Sequence, residues 1–600
     1  MRARLAVMAS LFCLFGTAAA QVPGPDYSRN PEWFPRVYRP YTVRKVPEVQ
    51  FRNSASLLDL IRDGKLRISL AQLKSAVKDN NLGILSSNLM ISYADTDLLR
   101  SRGGGAPRGG AGVQIPSSLF ASAIGAGVGG YSGLGSFSGA SISGAASQVF
   151  GVARGSYDPS ISIGFSLDRT VTPLNTIVVS GLPQVGTTSL TLQTRYSQAF
   201  TDGASLSVAL NTMRQNSDQQ FLLYNPDIYS QFSVSFTQQL LNGFGSKIGR
   251  RFVEVSKNET KIMKENARLQ INTVLAQAEN AYWDLVAARD NVRVAERSLE
   301  VAQRLLDENR QKEELGAMSG LDVITADSEL ASRQLDLINA RKTLELREVD
   351  LKGYISRDLP EILGPVAIEA ADILPDPKEG DIPKLGEALS EAMSGRSEIL
   401  QGEANLLTQD IAVQYGKNLL KPTLLFFANF NSSGLYGNQI LTAPNGAVIV
   451  LPGGLSQVYH QLSLWRSPEY SVGFSFSINI HNGAARADSF RAKMERQQAE
   501  TGLQNTRNGV GLEVRKAIIG LVQSKAQVEA AHEAVRLSAE TLAAEEAKLQ
   551  EGASTPYNVI LRQRDLMTAE VAEVQARANY AKALVERDRS MGMLEPPSRN

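Results

Sequence analysis

Thiol and imidazole are nearly missing from this chain of 600 residues: one cysteine, Cys13, and three histidines, His460, His481 and His532. A single cysteine builds no disulfide framework. None of the histidines has a second at metal-ligand spacing, and His532-Glu533 lacks the other half of an HExxH helix. Met318 stands alone and makes no soft-metal set. No GK[ST] completes the glycine-rich stretch, and no GxSxG lies between a strand pattern and a helix pattern. Charge of one sign is lacking too: 62 basic against 61 acidic side chains leave net +1, without the basic face that nucleic acid needs. After residue 20 no apolar run reaches the roughly 18 residues of a membrane-crossing helix. That test is silent on a β-barrel, whose alternating strands hide from hydropathy windows. Catalytic, metal and cofactor sites therefore find no support; the chain reads as no enzyme, with no cofactor and no metal.

The N-terminus carries an export signal. Arg2 and Arg4 precede the apolar run Leu5 to Phe15, and Ala18-Ala19-Ala20 is a small-residue cleavage site before Gln21. Residues 1–20 are expected to be a signal peptide. Cys13 lies inside it, and Ser10, Leu11 and Phe12 do not form a lipoprotein box, so no lipid anchor is expected.

Residues 21–67 read as a proline-containing, extended lead. A helical pattern runs from 68 to 100 through Leu70, Leu73, Val77, Leu82, Leu85 and Leu89. Residues 102–155 are Gly, Ser and Ala in low-complexity sequence. From Tyr157 the period becomes two: Ile161, Ile163, Phe165 and Leu167, then Leu190 to Tyr196, Leu206 to Leu210, and Phe232, Val234 and Phe236. Thr201-Asp202-Gly203 supplies a turn among these runs. Asn242-Gly243 ends the strand region. A second strand region follows Pro422, with Leu424, Phe426 and Ala428, then Val472, Phe474, Phe476 and Ile478, closed by Asn482-Gly483.

Between and after these regions lie long heptads without proline. Ile271, Ala278, Leu285, Val292, Leu299 and Leu306 recur every seven residues, with Val274, Ala281, Ala288, Ala295 and Ala302 in the second seam. Such a run is a coiled coil. It stops at Leu315-Gly316 and resumes with Val323, Leu330, Leu337, Leu344 and Leu351. Tyr282 and Trp283 sit on this coil as packing anchors. Prolines at 360, 365, 375, 377 and 383 mark residues 359–383 as a break, and 384–417 is helical again.

The second half repeats the first. Residues 315–330, LGAMSGLDVITADSEL, align with 551–566, EGASTPYNVILRQRDL, so that Gly316 meets Gly552, Val323 meets Val559 and Leu330 meets Leu566. The same offset of 236 brings Leu285 to Leu521 and Val292 to Val528. Helices over 250–315 and 484–551 would each span about 100 Å, whereas the returning helices 321–353 and 556–592 reach only about half as far. Segment 384–417 has the length missing from the first return and 68–100 that missing from the second. Each half is thus a strand set, a long helix, a turn and two stacked shorter helices. The expected boundaries are 68–358 for the first repeat, 359–383 for the break and 384–594 for the second repeat.

This duplicated plan, with its Asn-Gly strand-to-helix passages and paired glycine turns, resembles the TolC-like outer-membrane efflux proteins over about residues 68–594. The resemblance implies an α+β membrane protein: a homotrimer in which each chain gives four strands to a 12-stranded β-barrel, continuous with a periplasmic α-helical coiled-coil barrel. It implies a passive exit duct in the bacterial outer membrane, serving a tripartite efflux pump or, alternatively, a type I secretion system. A periplasmic coiled-coil spacer would explain the heptads but leave the strands unexplained. The partners implied are a periplasmic adaptor (membrane fusion protein), an inner-membrane pump and outer-membrane lipid, without nucleic acid. The adaptor would dock at the tips, through Gly316, Ala317, Ser319, Leu321 and Val323 and through Gly552, Ala553, Ser554, Thr555 and Val559. At the constricted entrance, where better-known members place carboxylates after the second tip, this chain has Asn558 and Leu561, and Asp322 is the acidic residue matching Asn558 in the first repeat. Asp322 fits a helix-start carboxylate equally well. Two departures stand out: the insertion 102–155, and more alternating runs in the first half than the family's two strands, with 173–213 either an extracellular hairpin or extra barrel strands.

Overall fold

A computed structural model describes residues 27–29, 38–42, 45–116, 119, 157–175, 177–178, 180–316, 318–360, 366–442 and 448–595. The expected signal peptide, most of the 102–155 insertion, Ala317 and Pro365 lie outside the described residues.

Two very long helices set the scale. α3 (Arg251–Glu314) has 64 residues and α8 (Gly483–Gln550) has 68, which at the helical rise is about 100 Å each. Each is returned by a 36-residue helix, α4 (Gly320–Ile355) and α9 (Pro556–Met591). The heptad seams are what these helices bury. Ala278, Leu285, Val292, Ala295, Ala302 and Leu306 on α3 are nearly inaccessible, as are Leu521 and Val528 on α8. Alternating large and small seam residues let the partner backbones come close.

The remaining length is supplied by α1 (Leu70–Asn80) with α2 (Leu82–Arg102), and by α5 (Leu385–Gly395) with α6 (Ser397–Leu419). Their placement corrects the stacking expected from length alone. α2 continues the line of α4, not of α9. Asn81 caps α2 by accepting from the Gly83 and Ile84 amides, and its Nδ2 donates to the Tyr354 carbonyl at 3.3 Å. α6 continues the line of α9: Arg396 donates to the Ser590 carbonyl at 3.1 Å, and Arg268 donates to the Gly395 carbonyl at 2.7 Å. Length could not distinguish the two pairings; the end contacts do.

The break between repeats is ordered by a small sheet. β1 (Ile61–Arg62) pairs antiparallel with β2 (Lys65–Ile68), and β2 pairs parallel with β7 (Ala367–Ala370). The end of the expected extended lead is therefore a strand. Leu66, Ile68, Tyr282, Leu351, Ile355 and Ile368 share one core there. The Tyr282 hydroxyl donates to Asp372 Oδ2 at 2.8 Å, and Arg289 donates to the Ala370 and Asp372 carbonyls, so the anchoring expected of Tyr282 is a hydrogen-bonded one.

At the other end of α3 and α8 stands one antiparallel sheet. Its strands are β3 (Ser160–Pro173), β4 (Gln184–Ala199), β5 (Ala204–Ser217), β6 (Tyr224–Gln239), β8 (Thr423–Thr442) and β10 (Pro468–Ser477), in the spatial order β10-β8-β6-β5-β4-β3. A short β9 (Val448–Leu451) pairs with the end of β8. The alternating runs read from the sequence are all strands of this sheet. Four strands per chain is corrected to six long ones among the described residues. β4 pairs with β5 along most of its length, from Thr187 opposite Ser217 to Ala199 opposite Ser205. The strands within 173–213 therefore lie beside the others in one sheet.

Candidate functional site

Strand alternation sorts the sheet into two unlike faces. Following the register across all six strands, Ile161, Tyr196, Val208, Val234, Phe430 and Tyr470 form one line. The adjacent line is Ser160, Ser197, Ser207, Ser235, Asn429 and Ser471. On the polar face Ser160 and Ser197 hydroxyls meet at 2.7 Å, Ser235 donates to Asn429 Oδ1 at 2.7 Å, and Asn429 donates to Ser471 at 3.3 Å. On the apolar face Phe236, Phe426 and Phe474 stack edgewise across three strands, with ring centroids 6.4 and 5.4 Å apart. Among the described residues nothing else covers most of this apolar face: Phe165 is 70% exposed and Phe474 67%. One face suits lipid and the other water, as in the wall of an outer-membrane barrel.

A short helix, α7 (Leu455–Ser463), lies on the apolar face beyond the start of β10. Val458 and Leu462 turn inward, and Trp465 packs 4.9 Å from Phe430 and 5.9 Å from Phe232. Gln461 accepts from the Leu435 amide and the Ser467 carbonyl accepts from the Ser433 amide. These contacts satisfy the edge of β8 where β10 no longer runs, which removes a free strand edge.

The two tips lie together at the opposite end. Gly316 and Gly552 end α3 and α8 with φ of +71° and +78°, a left-handed conformation that favours glycine. A Cβ at either would meet nothing within 4 Å beyond its chain neighbours, so it is the backbone conformation that favours glycine. The Ala553 amide closes the second turn on the Lys548 carbonyl at 2.8 Å. Ser319 caps α4, accepting from the Asp322 amide and donating to Asp322 Oδ2 at 2.7 Å. Asp322 thus serves the helix start. Ser554 donates to Glu545, Thr555 precedes Pro556 at the start of α9, and Asn558 and Leu561 follow on its first turns, Asn558 exposed and Leu561 half-buried.

Exposure separates the expected adaptor residues. Leu321 is 72% exposed, and Leu315 and Ile324 stand out beside it. Val559 is buried at 2%, and Val323 packs on Ala302, Leu306, Ala326 and Leu330. Val559 is therefore corrected from a surface contact to a core residue of its hairpin, and Val323 is half-buried. Their spacing marked a helix start and could not say which face they occupy.

An ionic link between the hairpins escaped the sequence. Glu329 on α4 receives Arg333 at 2.9 Å and Arg564, from α9, at 2.7 Å, while Arg333 also reaches Asp336 at 3.0 Å. Glu329 and Arg333 are buried. The offset of 236 sets Glu329 opposite Asp565, next to Arg564, so the duplication itself brings these positions to one level. A buried Glu259 on α3 is a second unusual group. Burial, with the Asp97 carboxylate beside it, pushes its carboxyl up to about 8. Among the described residues no group of three or more His, Cys, Asp or Glu could hold a metal ion.

The sequence pattern of the family described as outer membrane efflux protein matches residues 203–356 and 388–592. The first matched stretch starts one residue before β5 and leaves β3 and β4 outside. The pyoverdine export outer membrane protein OpmQ of Pseudomonas aeruginosa is 25% identical over 335 residues, which cover 53% of this chain and 61% of that protein. Among solved structures, the Campylobacter jejuni CmeC outer membrane channel aligns over 93% of this chain and 96% of its own, at a TM-score of 0.54 and 15% identity. The outer membrane protein VceC of Vibrio cholerae aligns over 87% and 96%, at 0.53 and 12%. At such identities these two structures speak to fold alone.

Proposed function

Because the chain belongs to the outer membrane efflux protein family, we propose that it is the outer-membrane channel of a tripartite efflux pump, a passive exit duct and not an enzyme. The observation that carries this reading is the two-faced sheet open at both edges. Among the described residues β3 and β10 have no outer partner, and a lipid-exposed sheet cannot leave its edge amides and carbonyls unpaired. Further copies of the same chain supply the missing neighbours. The helices ask for the same partners: Leu512, Ile519 and Val522 on α8, and Leu335, Ile338, Leu346 and Val349 on α4, are large apolar side chains left exposed at coiled-coil spacing. Three copies would join these seams into a helical tube about 100 Å long across the periplasm, with the strands as its barrel in the outer membrane.

Cargo would enter at the tips and leave through the serine- and asparagine-lined side of the sheet. The exposed apolar side chains beside Gly316, together with Ser319 and Leu321 in the first repeat and Gly552, Ala553, Ser554 and Thr555 in the second, are the surface for a periplasmic adaptor that links to an inner-membrane pump. Asp322, Asn558 and Leu561 would surround the entrance. The name of the Pseudomonas relative favours small-molecule export over protein secretion.

The experiment is fractionation followed by mass measurement of the detergent-extracted particle. Outer-membrane recovery as a trimer supports the reading. A monomer that stays in the periplasmic fraction without detergent overturns it.

A further inference from the structure

We infer that three copies close edge to edge, the β3 of one against the β10 of the next, into a barrel of eighteen strands in place of twelve. This rests on the trimeric duct just proposed and adds how its wall is built. β3 and β4 precede the family match, yet both carry the two-faced pattern, broken on the apolar face only by Arg169 near the far end of β3 and by small polar residues of β4 such as Thr188 and Thr194. Ile161, Ile163, Phe165 and Leu167 extend the apolar face, and Ser160, Ser162, Gly164 and Ser166 the polar one. The hairpin is anchored at the rim where the long helices begin. The Tyr157 hydroxyl donates to the Gly249 carbonyl at 2.7 Å, and the Tyr157 amide to the Gly103 carbonyl at 3.0 Å. With six antiparallel strands per chain, β3 and β10 run in opposite directions, so the seam between copies is antiparallel like every other.

The register closes as well. Ser160 lies level with Ser471 through Ser197, Ser207, Ser235 and Asn429, six residues above the Ser477 end of β10. That stagger is what tilted strands show when their ends form a level rim. Full overlap of β10 with the next β3 sets Ser166 opposite Ser471, a step of six residues per copy, or Asp168 opposite Ser471, a step of eight. Both steps are even, so apolar stays beside apolar. Over eighteen strands these steps give tilts of about 35° and about 42°, within the range of membrane barrels. The barrel would be about 35 Å across between backbones, against about 23 Å for twelve strands. A duct of that width would pass bulkier cargo.

Cysteine pairs decide it, because Cys13 is the only native cysteine. Ser471→Cys is combined in turn with Ser166→Cys, with Asp168→Cys, and with Asn211→Cys or Met213→Cys on β5, which would face Ser471 if β5 were the seam. Oxidised membranes are run without reductant, and the particle mass is measured in parallel. The inference expects a covalent trimer with Ser166→Cys or Asp168→Cys and none with the β5 pairs. Trimers linked only through the β5 pairs would place the β3–β4 hairpin outside the wall and overturn it. A trimer linked by none of the pairs would overturn edge-to-edge joining while leaving the duct intact. A monomer would overturn the duct and the inference together.

Discussion

Val472 discriminates sharply between lipid and water around the sheet. It lies mid-strand on β10, on the apolar face, opposite Ala428, and is 67% exposed in the chain. If water surrounded the sheet, Val472→Arg would be a surface change worth within about 0.5 kcal/mol. In lipid, an arginine near the bilayer midplane on a barrel's outer face costs about 2–4 kcal/mol. That is roughly 30-fold to 800-fold in the folding equilibrium of each copy. Ser471→Arg, one residue away on the polar face, would meet water and Asn429 and change stability by within about 0.5 kcal/mol. The assay is a urea titration of the protein folded into lipid vesicles, with unheated gels of outer membranes as a cellular counterpart. A lower midpoint for Val472→Arg and a near-native one for Ser471→Arg are expected. Equal midpoints, or a larger loss for Ser471→Arg, would refute the assignment of the faces.

Three further outcomes follow from the helical part. Glu259 keeps in the folded chain a proton that it sheds near pH 4.5 when exposed, so its contribution to stability falls as pH rises from about 4.5 to about 8 and is flat beyond. Glu259→Gln should flatten thermal unfolding midpoints across that window, and an unchanged pH profile would contradict the raised value. Gly316→Val and Gly552→Val force a β-branched residue into left-handed backbone at about 1–2 kcal/mol each, with open space around the added Cβ. Crosslinking of an adaptor to the tips should weaken in both, and unchanged crosslinking would count against docking there. Glu329→Ala removes the bridge between Arg333 and Arg564 at about 1–3 kcal/mol, softened because Asp336 still holds Arg333. Hydrogen exchange should rise in both hairpin tips, whereas a rise in the first alone would deny the coupling.

What the sequence disclosed, and what it hid, divides along physical lines. Heptads such as Leu285, Val292, Leu299 carry their own period, and the absence of proline from them fixed two helices and their length. Gly316 and Gly552 disclosed the turns because left-handed backbone narrows the choice of residue. The alternating runs were legible one by one, since Ile161 to Leu167 or Phe232 to Phe236 need no partner to be seen. Their side-by-side order was not, because pairing is a property of distant segments; the four strands that the resemblance implied left the extra runs without a place, and the pairing of β4 with β5 puts them in the sheet. The same blindness crossed the stacking of α2 and α6, which Asn81 and Arg396 decide by contacts with Tyr354 and Ser590. At the tips, Val559 was recognisable by its place after the turn but not by its burial. Nothing in the heptads marked Glu329 and Arg564, because their ion pair exists only once the two hairpins stand side by side.

The central claim is a tube built by three copies, with strands in lipid and both tips at the far end. Electron cryomicroscopy of the detergent-extracted particle tests it most directly. The account predicts threefold symmetry, a detergent belt around the strands, a solvent-filled axis and about 100 Å of helix ending in six tips on one side. A single copy, or a particle whose detergent belt lies elsewhere than on β3 to β10, would contradict it.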